Sequence, residues 1–208
     1  VAFLPSQFGV KIRLTASGTS EEGALDLLSE AEQKIRGVAG QFIYSRSGEE
    51  LGCVVGRLLT ERGLRLAVAE SCTGGLLSSV LTDYSGSSAF FDRGVVSYGN
   101  AAKVEMLEVE EDTIAELGAV SEQVCVQMAQ GIRSISAADV GVGISGIMGP
   151  TGGTADKPVG LVFVALSDSE NTIVKRFNFG DDRLLNKQRT VQAALDMIRK
   201  FLLRIPIE

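Results

Sequence analysis

From residue 49 onward the chain alternates helical and strand patterns, and that alternation limits the folds open to it. Leu51, Val54, Val55, Leu58 and Leu59 fall at helical spacing and are stopped by Gly63. An apolar run at 64–69 reads as a strand, followed by a glycine-bearing turn and a helix near 75–83. Further strands are predicted at 93–98, 140–145, 159–166 and 172–179, and further helices at 100–107, 121–137 and 183–203. Strands separated by helices pair in parallel, whereas the last two strands are close enough for a hairpin. The expected class is therefore α/β, a three-layer α/β/α unit with a mixed five-stranded sheet.

Residues 1–45 read as a separate, small α+β segment. Gly9–Thr15 alternates apolar and polar residues, as a half-buried strand does. Thr19 and Glu22 have capping-box spacing for a helix to about Arg36, and 41–44 reads as a short strand. The segment is too small to bury a full core alone. The second domain is expected over 46–208, after a Ser-Arg-Ser-Gly linker. A start at Val1 is what a piece of a longer protein would show.

Composition removes whole classes of chemistry. The chain has no histidine, so Ser-His-Asp and Cys-His schemes and His-ligated metals are closed to it. Its three cysteines, Cys53, Cys72 and Cys125, are scattered and form no CxxC, so no metal site or disulfide framework is expected. A reducing cytoplasm suits them. A net charge of -6 and the absence of tryptophan make direct nucleic-acid binding unfavourable. No apolar run approaches the roughly 18 residues that span a bilayer, and no membrane partner is expected.

Four segments could carry chemistry. Glu70-Ser71-Cys72-Thr73-Gly74-Gly75 lies between a strand and a helix, where backbone N–H groups of Thr73, Gly74 and Gly75 could hold an anion or oxyanion. Ser71 could be a nucleophile there; Ser71 and Thr73 could equally be plain helix caps. Cys72 has no base to make its thiolate and reads as a small buried residue. The second segment holds Ser88, Tyr98, Asn100 and Lys103. A lysine in the first turn of a helix sits in an unfavourable field, which pushes it toward the neutral form and makes it a workable base; the plainer reading is a solvated lysine. The third is the glycine-rich loop after 140–145, with Ser145, Gly146, Gly149, Pro150, Gly152 and Gly153, which lacks the Gly-Lys-Ser/Thr of a P-loop. The fourth is Arg183 at the start of the last helix, able to fork a phosphate or carboxylate, or else to pair with Asp181.

Ala69–Gly75 (AESCTGG), Gly86–Ser88 (GSS), Arg93–Tyr98 with Asn100 and Lys103, Gly118–Glu122 (GAVSE), Ser145–Gly153 (SGIMGPTGG) and Lys157–Gly160 (KPVG) together resemble the CinA C-terminal family. The match spans about residues 50–204, and residues 1–45 resemble the end of the KH-like middle domain of full-length members. Two positions depart from the family pattern: Gly99 stands where serine is usual, and Met148 where alanine is usual.

The resemblance implies a three-layer fold and an amidohydrolase of pyridine nucleotide salvage, which deamidates nicotinamide mononucleotide (NMN) to nicotinate mononucleotide and ammonia. It implies Ser71 as nucleophile, with Ser88 the other candidate, and Lys103 as base, directly or through Ser88 or Tyr98. Glu70, Thr73, Gly74, Gly75, Asn100, the Ser145–Thr154 loop and Arg183 would bind substrate. No cofactor or metal is expected, and a homo-oligomer of dimer size or larger is. The alternative is a non-catalytic regulatory or protein-interaction module connected with competence and DNA damage.

Overall fold

The computed structural model describes residues 1–6 and 8–207. The chain divides into two compact units, Val1–Leu51 and Gly52–Glu208. In the first, β1 (Ala2–Ser6) pairs antiparallel with β2 (Gly9–Arg13), and α1 (Glu21–Ala39) follows. None of the 19 residues of α1 is buried. The helix begins one residue later than the capping-box spacing predicts. Ser20, not Thr19, supplies the cap, accepting from the Gly23 N–H at 3.2 Å. Residues 40–42 form a 3-10 turn where a strand was expected, because the real partner of β2 is the uncounted strand β1.

The second unit contains α2 (Leu51–Arg62), β3 (Leu66–Glu70), α3 (Leu76–Thr82), β4 (Phe91–Val96), α4 (Asn100–Leu107), α5 (Glu111–Leu117) and α6 (Glu122–Ser136). It continues with β5 (Val140–Gly146), β6 (Leu161–Ser167), β7 (Thr172–Asn178) and α7 (Arg183–Leu203). The sheet runs β4-β3-β5-β6-β7. β3 is parallel to β4 and β5, and β6 is antiparallel to β5 and β7. This is the mixed five-stranded sheet that the pattern of helices and strands predicts.

Alternation along β3 decides which helix each side chain meets. Ala67 and Ala69 pack with Leu107 of α4, Ile114 of α5 and Val124, Met128 and Ile132 of α6. Leu66, Val68 and Glu70 therefore point to the opposite face, where α3 and α7 pack against each other and the sheet. β5 carries glycine where α6 crosses closest. A Cβ at Gly143 would lie 2.5 Å from the Cys125 carbonyl oxygen, and one at Gly141 would lie 2.2 Å from that of Ala129. The helix can reach the sheet only because those side chains are missing.

β3, β4 and β5 all end at one sheet edge, since Glu70 pairs with Val96 and with Ile144. β7 also ends there, beside the start of β6. Four segments thus converge: 71–75, 97–99, 147–153 and the first turn of α7. Gly143→Ala should cost about 1–3 kcal/mol by forcing α6 off the sheet. Urea denaturation measures it, and an unchanged midpoint would refute the packing argument.

Candidate active site

Glu70 is fully buried at the end of β3, and its carboxylate closes the N-terminus of α3. One oxygen accepts from the N–H groups of Gly75 and Leu77, each at 3.1 Å. The other accepts from the Ser78 N–H at 2.8 Å and the Ser78 hydroxyl at 2.7 Å. A carboxylate is well matched to the unpaired N–H groups and positive field of a helix start. Two readings of the segment change as a result. Neither Ser71 nor Thr73 caps α3, and Glu70 is committed to the protein rather than turned toward a ligand.

The same capping narrows the set of free backbone donors. The Gly75 N–H is held by Glu70, and the Gly74 N–H donates to the Ser71 carbonyl at 3.1 Å. The Thr73 N–H donates to no described protein group, and the Cys72 N–H faces only its own thiol. The Thr73 hydroxyl is buried without a partner. Gly74 and Gly75 both have positive φ, at 64° and 92°, the left-handed turn that lets the chain double back before α3.

One residue beyond Glu70, alternation sends Ser71 to the other face, where α4 brings Lys103. Lys103 is 1% exposed. Its Nζ donates to the Ser97 carbonyl at 2.8 Å, the Tyr98 carbonyl at 3.1 Å and Ser71 Oγ at 3.1 Å. Those carbonyls are available because β4 ends at Val96. No carboxylate pairs with this ammonium among the described residues. Burial holds its pKa below the ordinary lysine value, and the nearby Cys72 acts weakly the other way. The largest cause is desolvation, which acts in the same direction as the helix field expected for a lysine in the first turn. Cys72 itself is 7% exposed, and burial pushes its thiol up to about 12, so it stays protonated at neutral pH.

The remaining candidates take different places. The Tyr98 hydroxyl accepts from Arg183 Nη2 at 3.1 Å, and Arg183 Nη1 donates to the Gly149 carbonyl at 2.9 Å. Arg183 therefore ties the segment after β4 to the glycine-rich loop and makes no pair with Asp181. Buried Asn186 adds to that tie, donating to the carbonyls of Met148 and Gly180 at 3.0 and 2.8 Å. Ser145 is spent on structure, donating to the Ala119 carbonyl at 2.7 Å. Gly146 ends β5, and a Cβ there would meet the Leu161 carbonyl at 2.8 Å. Gly149 and Gly152 adopt positive φ, Pro150 follows a cis peptide, and Gly153 lies close against Val159. Asn100 is exposed at the start of α4.

Ser88 does not join the cluster. It lies in a 3-10 turn just before β4, and the first residue of β4 pairs with the first residue of β3. It is thus at the opposite sheet edge, about 16 Å from Ser71 along a five-residue strand. A relay through Ser88 within one chain is excluded by that distance. Lys187, which follows Arg183 in the fourth segment and has no role assigned from sequence, has its Nζ 3.5 Å from where a Cβ on Gly74 would be.

Two measurements check this electrostatic picture. Glu70→Gln removes the charge from four accepted hydrogen bonds and should destabilise the unit by about 1.5–3 kcal/mol; an unchanged urea midpoint would contradict its capping role. For Lys103, the unfolded chain binds more protons than the folded one between its lowered pKa and about 10.4. Stability from this residue therefore rises with pH across that window. Lys103→Met should remove that part of the rise, and identical pH profiles for variant and parent would show that Lys103 is not desolvated.

The CinA C-terminal domain model matches residues 49–202, and the damage-inducible protein CinA KH domain model matches 1–45. A putative competence-damage inducible protein of Thermoanaerobacter pseudethanolicus is 45% identical over 96% of this chain and 48% of its own length. The chain spans about half the length of the curated relatives it matches. Competence/damage inducible protein CihA of Agrobacterium tumefaciens superposes with a TM-score of 0.72 at 42% identity, covering 77% of this chain and 98% of that one. A CinA-superfamily protein of Escherichia coli gives the same TM-score at 28% identity, covering 78% and 98%. Both family models and these relatives lead to one conclusion: the chain belongs to the CinA family.

Proposed function

We propose that the second unit is a Ser-Lys amidohydrolase that converts NMN and water to nicotinate mononucleotide and ammonia. The observation that carries this reading is the 3.1 Å contact between Ser71 Oγ and the buried, unpaired Lys103 Nζ. A neutral amine has two N–H bonds and one lone pair. The Ser97 and Tyr98 carbonyls can only accept, so they take the two N–H bonds. On loss of the ammonium proton the 3.1 Å contact reverses, and the lone pair is left for the Ser71 hydroxyl to donate to. That is the arrangement of a nucleophile with its general base, reached without histidine.

In the reaction, Ser71 Oγ attacks the carboxamide carbon while its proton passes to Lys103. The carbonyl oxygen becomes an oxyanion beside the N–H groups of Cys72 and Thr73, which replace the Thr73–Gly75 set expected from sequence. Lys103 returns the proton to the departing amide nitrogen, which leaves as ammonia. Water then attacks the acyl-Ser71 ester, giving its proton to Lys103, and the carboxylate product departs as Ser71 recovers its proton. Arg183, Tyr98 and the loop at Gly149 form the wall on which the ribose phosphate rests.

Ammonia release from NMN by the full chain tests this. Ser71→Ala should abolish turnover, and Lys103→Met should lower it by about 10²–10⁴-fold. Activity in the parent should rise with pH, because the neutral amine is the working form, with an inflection below the ordinary lysine range. Near-normal turnover in Ser71→Ala would overturn the reading. The relatives' names connect them with competence and damage; a bound but unhydrolysed NMN would instead favour a nucleotide-binding module without catalysis.

A further inference from the structure

Lys187 lies one turn after Arg183 on α7, and its ammonium is set over the backbone of the loop that carries Ser71. It is half-buried, and no described group forms a hydrogen bond or ion pair with it. Two of the nearby carboxylates are engaged elsewhere, and Asp181 is exposed at the start of the helix. Asp182 caps α7 by accepting from the Leu185 N–H at 2.9 Å, and both oxygens of Glu70 are taken by α3. Residues 183 and 187 share a helix face, about 6 Å apart along the axis. Like charges at that spacing repel. A helix that keeps two cations together at the site's edge, neither of them in an ion pair with a described carboxylate, is matched to an anion.

We infer that Lys187 is the residue that recognises the phosphate monoester of the substrate, with Arg183 supplying the N–H groups left over from Gly149 and Tyr98. The inference rests on the amidohydrolase reading and names the binding determinant within that site. A phosphate dianion gains from a point charge plus a planar donor set, whereas the nicotinamide ring, a pyridinium cation once joined to ribose, gains nothing from them. Gly74 belongs to the same device, because any side chain there would project at the ammonium.

The test compares NMN with its dephosphorylated counterpart, nicotinamide riboside, using the parent, Lys187→Gln and Lys187→Arg. Lys187→Gln should raise KM for NMN about tenfold or more, the loss of one charge-assisted hydrogen bond. The change should fall in KM far more than in kcat, leave the riboside constants unaltered, and be largely reversed in Lys187→Arg. Orthophosphate should inhibit the parent competitively and the glutamine variant much less. Equal effects on NMN and riboside, or no effect on either, would overturn the inference. If the parent binds NMN without releasing ammonia, the amidohydrolase reading fails by itself. Calorimetric affinities of parent and Lys187→Gln for NMN then decide the Lys187 inference, unchanged affinity refuting it. No NMN binding by the parent would refute both.

Discussion

Taking an ammonium out of water costs several kcal/mol unless an anion comes with it. Lys103 is almost wholly buried, and the groups around it are two carbonyls and a hydroxyl. Neutral oxygens orient the nitrogen but compensate only part of that cost, so the balance moves toward the free amine. The side chain thereby loses its proton at a lower pH than an exposed lysine would. Everything else at this sheet edge serves to keep the amine dry, aimed and unpaired.

The fold achieves this by separating two opposite charges that are close in space. Glu70 is one residue from Ser71, and a carboxylate beside Lys103 would hold the amine in its charged form. β3 prevents the pairing, because successive side chains leave a strand on opposite faces. Glu70 is turned to the start of α3, where its charge is satisfied by four donors, and Ser71 is turned to α4. The early end of β4 then frees the Ser97 and Tyr98 carbonyls, while the Ser97 N–H still bonds the Glu70 carbonyl at 2.9 Å. The ladder stops where the lysine needs acceptors.

Much of this was legible in the sequence, for reasons that differ by residue. The helix over 183–203 has its cap and its stop written locally, and the structure places α7 over Arg183–Leu203. The strands of the sheet are short apolar runs bounded by turns, and these too are local signals. β1 was not counted because a two-stranded ribbon with proline inside has a weak pattern. α5 has only seven residues, too few for a clear period. Glu70 was read as a ligand contact because its true partners lie five to eight residues ahead, across a turn that only the folded chain forms. The motif containing Ser88 gave no clue to which sheet edge it occupies, since that depends on the register of β4 against β3. Lys187 looked like any helical lysine until α7 was laid beside Gly74.

The central claim is that burial makes the Lys103 amine lose its proton below the pH at which lysines normally do so. A titration of the Lys103 side chain by nuclear magnetic resonance, with ¹³C at the ε carbon of the full chain, reads that state without any substrate. The account requires the Lys103 signal to titrate below the envelope of the other lysines, and to shift when Ser71 is replaced by alanine. A Lys103 signal that titrates together with the exposed lysines, or above them, would contradict it.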